Sequence, residues 1–510
     1  MKSALLLRRG CYQDSARLMQ VSRELSSRSG VLEAVAMMGT EVNRRLLADA
    51  GFTGGELDAA TPLDMVVGLR AVSDEALDAA RAALDGLLSG AGPAARPSAG
   101  AAEARPGTVV EALEARPGAN LVSVAVPGLY AAFVAHRALD AGRSVFLFSD
   151  NVSLADEVAL KARAAGLGLL VMGPDCGTAI LSGVGLGFAN RVDRGPVGIV
   201  GASGTGIQEL SCLLDRAGVG VSHAIGTGSR DLSEAVGGRM TGAGLALLAN
   251  DPETKCVAVV AKHPAASVAA RLHGVLASLG KPVVVRYLGE ERRGLVDGVL
   301  YAGSIDEAAR AASCHAGAAV VEPSPAEAPV AGPADGAGGR LVGLFGGGSL
   351  AAEARCVLAS RGIATVVPDE RLSPSAPLPP GSLVVDTGDD AYTVGRPHPM
   401  VDQTVRCELI RAAGADRSVR VLLLDLVLGD GAHPDPAPEI VDAVAAARHA
   451  RGGRPLTVVV SVCGSRRDPQ GTARQEDLLR LAGIHVEPSA ALAAAAAASL
   501  LVPARSEVTR

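Results

Sequence analysis

Short apolar runs alternate with longer amphipathic segments from residue 109 to residue 503. The apolar runs have the length of strands, as in SVFLFSD (144–150), CVAVVAKHP (256–264) and VLLLDLVLGDG (421–431). Strands that are apolar on both faces are typical of parallel sheets, because helices cover both sides of such a sheet. The pattern therefore predicts an α/β fold built on doubly wound parallel sheets.

The first 89 residues show the same alternation in shorter units. SALLLRR, VLEAVAMM and DMVVGLRAV have the pattern of strands, and a helical segment follows each of them. Residues 90–108 and 317–340 are rich in alanine, proline and glycine, and we interpret these stretches as linkers. We therefore expect a small α+β domain at residues 1–89, followed by two larger α/β blocks.

The second block and the third block share one pattern. Aligning Val197 with Val342, an offset of 145 residues, superimposes an apolar run, a Gly/Ser turn and a helix start, and pairs Ser203 with Gly348. The match continues through later segments of both blocks: IGTGSRD (225–231) with VDTGDD (385–390), KPVVVRYLG (281–289) with RPLTVVVSVCG (454–464), and VLYAGSIDEAARAA (299–312) with IHVEPSAALAAAAAA (484–498). The repeat predicts two homologous α/β domains.

The Gly/Ser turn in GIVGASGTGIQEL (198–210) has the chemistry of an anion site. Its glycines allow the backbone to approach a ligand closely, and the helix that follows begins with free N–H groups. The stretch matches neither the GxGxxG fingerprint nor the P-loop, since no Gly-Lys-Ser/Thr follows it. Two such turns predict two helix N-termini that converge on one anion. The alternative is a duplicated structural turn that binds nothing.

Composition narrows the classes of protein that the chain can represent. Its 510 residues are 48% hydrophobic and 20% charged, as in globular proteins, and the net charge of −6 without basic runs argues against nucleic acid as a partner. No apolar run reaches the ~18–20 residues that a membrane span needs. The eight cysteines form neither CxxC nor zinc spacing, so we expect reduced thiols, no metal and a cytoplasmic protein.

Several longer motifs resemble a known family. GPDCGTAI (173–180) and VGIVGASGTGIQE (197–209) resemble the α-subunit of succinyl-CoA synthetase, and the third block resembles the carboxy-terminal domain of its β-subunit. Fusion of the two behind a small amino-terminal domain resembles the FdrA family. The stretches that carry this resemblance are RRGCYQDS (8–15), MMGT (37–40), ATPLD (60–64), SHAIGTGSRDLSEAVGG (222–238) and TVGRPHPMVD (393–402).

The resemblance implies an α/β fold with one Rossmann-like domain, two flavodoxin-like domains and the small α+β domain. The implied boundaries are 1–89 for the α+β domain, 90–108 for a linker, 109–194 for a truncated CoA-binding-like domain, 195–316 for the α-type ligase domain, 317–340 for a linker and 341–503 for the β-type domain. In the synthetase family the two turns hold a phosphoryl group between two helix N-termini. The residues implied here are Ser203, Gly204, Thr205, Gly347, Gly348 and Ser349.

The departures from the synthetases bear on the reaction. The phosphohistidine motif of the synthetases is replaced by LYAGS (300–304), and Lys262 stands where their supporting glutamate falls. The ATP-grasp half and the glycine-rich first turn of the CoA-binding domain are absent from this sequence. His263 is a possible substitute phosphoacceptor, although the adjacent Pro264 favours a structural role. A phosphate site in a chain that has no nucleotide-binding domain suits a protein whose substrate is a preformed acyl phosphate.

By resemblance, the chain is expected to be a component of an oxamate carbamoyltransferase in purine-ureide breakdown. Carbamoyl phosphate or phosphate is then a substrate, no resident cofactor is required, CoA is doubtful, and separately encoded subunits in an oligomer are the expected partners. Arg230 or Arg396 is expected to hold a carboxylate or neutralise charge, and Asp231, Asp389 or His398 to move a proton, unless each only orients its loop. The alternatives are an acyl-CoA ligase subunit with a separate ATP-grasp partner, and a non-catalytic regulator or scaffold.

Overall fold

The computed structural model describes residues 2–13, 15–89, 106–318, 339–393, 397–452 and 454–501. Most of the two predicted linkers and all of Arg396 lie outside these residues. The chain forms two compact units, one of Met1–Thr108 with Asp390–Asp402 and one of Val109–Asp389 with Gln403–Arg510. Within the described ranges, every helix is too short or too polar to cross a membrane.

The first unit contains a three-stranded antiparallel sheet covered on both faces by helices. Leu25 and Leu84 pack on one face, and Leu47 and Phe52 pack on the other. The sheet order is β1-β3-β2. Its elements are β1 (Lys2–Arg8), α1 (Ser15–Ser26), β2 (Val31–Met38), α2 (Glu41–Asp49), α3 (Gly55–Asp58), β3 (Met65–Ala71) and α4 (Asp74–Ser89). This is the α+β arrangement that the sequence pattern predicts.

The second unit begins with a small parallel sheet of order β4-β5-β6. Ala131 and Ala135 of one helix and Leu160 of another are fully buried in a hydrophobic core that also contains residues of the next sheet. The elements are α5 (Val109–Ala115), β4 (Leu121–Val124), α6 (Gly128–Asp140), β5 (Ser144–Leu147), α7 (Leu154–Leu167) and β6 (Val171–Met172).

An eight-stranded sheet follows, with parallel strands at its centre and antiparallel strands at both edges. Its elements are β7 (Thr178–Leu181), β8 (Val184–Gly187), β9 (Arg194–Ala202), α8 (Gly204–Arg216), β10 (Val221–Gly226), α9 (Arg239–Asn250), β11 (Cys256–Lys262), α10 (Ala266–Ala277), β12 (Val283–Leu288), β13 (Gly294–Val296), β14 (Val299–Tyr301) and α11 (Ile305–His315). The predicted domain boundary at 194/195 therefore falls inside this sheet. The reason is that β7 pairs with β10 and covers the edge of that strand, while β8 pairs with β7 in turn.

The last sheet has six parallel strands in the order β16-β17-β15-β18-β19-β20. Its elements are β15 (Arg340–Phe345), α12 (Gly348–Ser360), β16 (Thr365–Val366), β17 (Ser382–Asp386), α13 (Asp390–Thr393), α14 (Thr404–Ala415), β18 (Val419–Val427), α15 (Pro436–Ala450), β19 (Thr457–Cys463), α16 (Thr472–Leu481), β20 (His485–Glu487) and α17 (Ala490–Ser499). Of these, α13 belongs to the first compact unit.

The two larger sheets contain the same five-stranded core. The order β10-β9-β11-β12-β14 in one corresponds to β17-β15-β18-β19-β20 in the other, which is the flavodoxin-like order 2-1-3-4-5. Thr227 donates its N–H to Gly201 O, as Thr387 does to Phe345 O, so the true offset is 144 residues. The predicted offset of 145 was therefore wrong by one residue. It aligned the Val-Gly pair of β9 with the Val-Gly pair of β15, and these pairs are identical in sequence but do not occupy equivalent positions in the hydrogen-bond register.

Candidate functional site

The two Gly/Ser turns lie where β9 and β15 end and the helices α8 and α12 begin. Ser203 is the N-cap of α8, and its Oγ accepts a hydrogen bond from Gly206 N at 3.1 Å. Gly347 is the N-cap of α12. A Cβ at Gly348 would overlap Asp386 Oδ2, so a larger residue there would have to displace this carboxylate. Both helices therefore begin immediately after a central strand, as the sequence predicts.

The structure brings the two turns into direct contact. The hydroxyl oxygens of Ser203 and Ser349 are hydrogen-bonded to each other, and both side chains are buried. Ser349 N lies 3.4 Å from Thr205 Oγ1, to which it donates. A Cβ added to Gly347 would meet Thr205 Cγ2 at 3.0 Å. The predicted phosphate-binding residues of the two repeats thus form one cluster, although phosphate binding itself remains a prediction.

Free donors remain at this cluster. Gly204 and Thr205 are the first two residues of α8, and Gly348 is the first residue of α12. Helix geometry gives their N–H groups no intrahelical acceptor, and no acceptor for them is present in the described part of the chain. Both helix N-termini also carry partial positive charge. The cluster therefore presents several aligned donors from two helices.

Two carboxylates line the α12 turn, and neither is among the site residues predicted from the sequence. Asp425 on β18 accepts hydrogen bonds from Gly346 N at 2.7 Å and from Gly347 N at 2.8 Å. Asp386, at the end of β17, lies against Gly348. Burial raises the pKa of Asp386 to about 6, while Gly388 N–H and the charge of Lys262 oppose the increase. Asp386 can therefore exchange a proton near neutral pH.

A reciprocal pair of buried glutamates holds the two repeats together. Glu209 on α8 accepts a hydrogen bond from Ala490 N, the first residue of α17, at 2.8 Å. Glu353, at the same position of α12, accepts one from Ile305 N, the first residue of α11, at 2.6 Å. Each repeat thus caps a helix of the other, which fixes α8 against α12.

Glu353 has a buried cationic partner. Arg286 on β12 donates to Glu353 Oε2 from Nη2 at 2.6 Å and from Nε at 3.0 Å, and both side chains are fully buried. Burial raises the pKa of Glu353, and Arg286 opposes the increase. Burial and the nearby Asp306 raise the pKa of Glu209 well above its usual value. Burial also raises the pKa of Asp306 to about 6.

Two of the proposed catalytic residues have structural contacts. Asp231 is fully buried, pairs with Lys161 Nζ at 3.0 Å, and accepts hydrogen bonds from Thr241 N at 2.9 Å and Thr241 Oγ1 at 2.7 Å. Arg230 pairs with Glu157 at 2.8 Å and donates to Val152 O at 2.8 Å. These contacts anchor the loop after β10 to α7, so the alternative that both residues orient their loop has the stronger structural support.

The remaining candidates fall in different parts of the sequence. His398 lies in the segment Asp390–Asp402 of the first compact unit, and its Nδ1 accepts from Met400 N at 3.1 Å. Asp389 follows the turn that contains Asp386, and Arg396 lies outside the described residues. His263 is exposed at the end of β11. Within the second unit, Asp389 lies near Asp386, whose pKa its charge raises, whereas His398 belongs to the first unit.

Family models match both ends of the chain. A model described as "AllF, heavy metal-associated domain" matches residues 1–106, and one described as "CoA-ligase" matches residues 344–500. The uncharacterized protein YahF of Escherichia coli (strain K12) is 35% identical over 497 residues, which is 95% of this chain and 96% of YahF.

Two solved structures are similar at a lower level. Acetyl-coenzyme A synthetase 1 of Ca. Korarchaeum cryptofilum is 18% identical over 75% of this chain and 82% of that chain, with a TM-score of 0.32. ATP citrate lyase from Methanothrix soehngenii is 20% identical over 41% of this chain and 37% of that chain, with a TM-score of 0.33. TM-scores this low support no inference about function.

The residues of the amino-terminal domain do not fit the heavy metal that its family description suggests. Thiolates are the preferred ligands of soft metals, and Cys11 is the only cysteine among residues 1–106. Among the described residues, no three His, Cys, Asp or Glu side chains are grouped so that they could hold a metal ion. The residues of this domain therefore provide no basis for a metal-dependent step.

Proposed function

Because this chain belongs to the FdrA/YahF-like CoA-ligase family, we propose that it is the phosphate-handling component of an oxamate carbamoyltransferase. Its substrates are then phosphate and oxalurate in one direction, and carbamoyl phosphate and oxamate in the other. The chain requires no resident cofactor for this reaction and acts with separately encoded subunits.

The contact between the hydroxyls of Ser203 and Ser349 is the observation that carries the proposal. It joins two helix N-termini whose unpaired N–H groups and partial positive charges favour a bound anion. A phosphate group that enters here replaces the hydroxyl–hydroxyl contact with hydrogen bonds to its own oxygens. Fixed donors of this kind stabilise a leaving phosphate as its negative charge develops.

The proposed reaction balances without a nucleotide. A phosphate oxygen attacks the terminal carbamoyl carbon of oxalurate, a C–O bond forms, and the C–N bond to the oxamate nitrogen breaks. That nitrogen takes up one proton, which the attacking hydrogen phosphate gives up. In the reverse direction the amide nitrogen of oxamate attacks carbamoyl phosphate, and phosphate leaves with the proton.

Asp386 is the group that we assign to this proton transfer. A carboxyl group with a pKa of about 6 is mostly ionised at pH 7 and can accept a proton from the attacking group. It lies against Gly348 at the N-terminus of α12, beside the proposed phosphate position. Lys262, which replaces the glutamate of the synthetases, contributes a favourable charge to its ionised form.

The match to the CoA-ligase model supports a second candidate, an acyl-CoA ligase subunit that works with a separate ATP-grasp chain. A ligase of the synthetase type needs a phosphohistidine. Tyr301, Ala302 and Gly303 stand where that histidine motif falls, and Tyr301 and Ala302 are buried. This replacement favours the carbamoyltransferase over the ligase.

The experiment combines turnover with a labelling arm. The chain and its partner subunits should form carbamoyl phosphate from oxalurate only when phosphate is present. The chain should stay unlabelled after incubation with labelled ATP or with succinyl-CoA and labelled phosphate, because it has no histidine in the phosphoacceptor position. His263→Asn is the matched variant and should change neither result. An acid-labile phosphohistidine, together with no phosphorolysis of oxalurate, would overturn the proposal in favour of the ligase.

A further inference from the structure

Arg406 is a buried arginine whose hydrogen-bonding capacity is only partly used. It lies on α14 and is 2% exposed. Its Nη1 donates to Asp425 Oδ1 at 2.5 Å, and Asp425 in turn accepts from the backbone N–H groups of Gly346 and Gly347. The guanidinium group is therefore separated from the α12 turn by a single carboxylate.

The other two nitrogens of this guanidinium have no hydrogen-bond acceptor in the described part of the chain. They are Nε and Nη2 of Arg406, and both atoms are buried. Their N–H bonds point in parallel from one edge of the planar group, which is the fork that binds two oxygens of one carboxylate. Buried donors without acceptors are strongly unfavourable, so an edge of this kind is suited to a ligand.

We propose that Arg406 binds the carboxylate of a small acid beside the two Gly/Ser turns. The binding proposal stands on the unfilled edge of Arg406 and its link to the α12 turn, and only the choice of oxamate as the acid rests on the proposed function. Arg406 then takes the role that the sequence analysis gave to Arg230 or Arg396. An acid held here lies next to the proposed phosphate position, as a reaction between the two substrates requires.

The charges around Arg406 favour a carboxylate over phosphate at this edge. Asp425 already neutralises the guanidinium. A monoanion therefore adds less repulsion than a phosphate dianion. A planar carboxylate also matches the two parallel N–H groups directly. Phosphate is better served by the backbone donors of Gly204, Thr205 and Gly348.

Calorimetric titration of the full chain separates the two anions. Oxamate, its neutral analogue oxamide, and inorganic phosphate should be titrated into wild type, R406K and R411K. R406K keeps a cation beside Asp425 but loses the fork, and Arg411 is an exposed arginine of the same helix. R406K should weaken oxamate binding about 10- to 100-fold, since hydrogen bonds to charged groups contribute about 1.5–3 kcal/mol. Its phosphate affinity should stay unchanged, and R411K should behave as wild type.

Several outcomes would overturn the assignment of Arg406. The assignment is wrong if wild type binds no oxamate, or if it binds oxamide equally well. It is also wrong if R406K binds oxamate as tightly as wild type does, or if R406K loses affinity for phosphate instead. A structure of wild-type crystals soaked with oxamate covers the case in which R406K does not fold. The carboxylate should then lie within hydrogen-bond distance of Nε and Nη2, and a carboxylate bound elsewhere contradicts the proposal. Oxamate binding that depends on Arg406 without any turnover contradicts the proposed function alone.

Discussion

Gly348→Val should reduce turnover of oxalurate by at least about 10²–10³-fold, the usual loss when one fixed donor to a developing anion is removed. A Cβ at this position would overlap Asp386 Oδ2, so the valine must displace the carboxylate that lies against the proposed phosphate position, and its branched side chain covers the N–H group beside it. The rate of carbamoyl phosphate formation measures the effect, and a melting curve reports folding separately.

Two glycine variants serve as controls for this result. Gly204→Ala places a Cβ 3.3 Å from Thr178 Oγ1, a contact that a small shift relieves, so its effect should be smaller. Gly242→Ala lies in α9 with no atom within 4 Å of the added Cβ, and should be neutral. If Gly348→Val folds and keeps full turnover, the α12 turn plays no part in catalysis.

Arg286→Met should lower the free energy of unfolding by about 3–5 kcal/mol, because it leaves the buried carboxylate of Glu353 without its cation. The pKa of Glu353 is already raised in the folded chain, and removal of Arg286 should raise it further. The folded variant then binds a proton that the unfolded chain releases, so its stability falls as pH rises through the folded pKa. The loss should therefore be larger at pH 8 than at pH 5.

Denaturant unfolding at both pH values tests this prediction. Arg194→Ala is the matched control, because the ion pair of Arg194 with Glu253 is about half exposed and should contribute at most about 1 kcal/mol. A loss below 1 kcal/mol for Arg286→Met at pH 8 would show that the buried pair does not hold the two repeats together.

The fold can be predicted well from the sequence, because the signals that define each repeat lie close together along the chain. Apolar strands, the Gly/Ser turns and the helix starts all lie within short stretches, and their recurrence identifies the duplicated domain. The error of one residue in the offset arose because the two repeats were aligned by residue type alone, and the sequence does not show which backbone groups are hydrogen-bonded. The sheet extends across the expected boundary at 194/195, because the pairing of β7 with β10 joins segments that are distant along the chain.

The site is only partly visible in the sequence for the same reason. Ser203 and Ser349 stand in recognisable turns, so their association could be anticipated from the repeat. Asp425 and Arg406 come from a strand and a helix with no motif of their own, although a charged residue inside the apolar run VLLLDLV is a usable signal. Asp231 was considered for proton transfer because it lies in a family-specific loop, and only the structure reveals its buried contact with Lys161.

The most direct test of the account is a double-mutant cycle on phosphate affinity. Wild type, Ser203→Ala, Ser349→Ala and the double variant should be titrated with inorganic phosphate. If both hydroxyls contact one anion, each single variant should bind phosphate about 10-fold more weakly, and the double variant should lose little more than either single variant, since residues of one hydrogen-bonded unit are not additive. Unchanged phosphate affinity in both single variants, or losses that simply multiply in the double variant, would contradict a shared phosphate site.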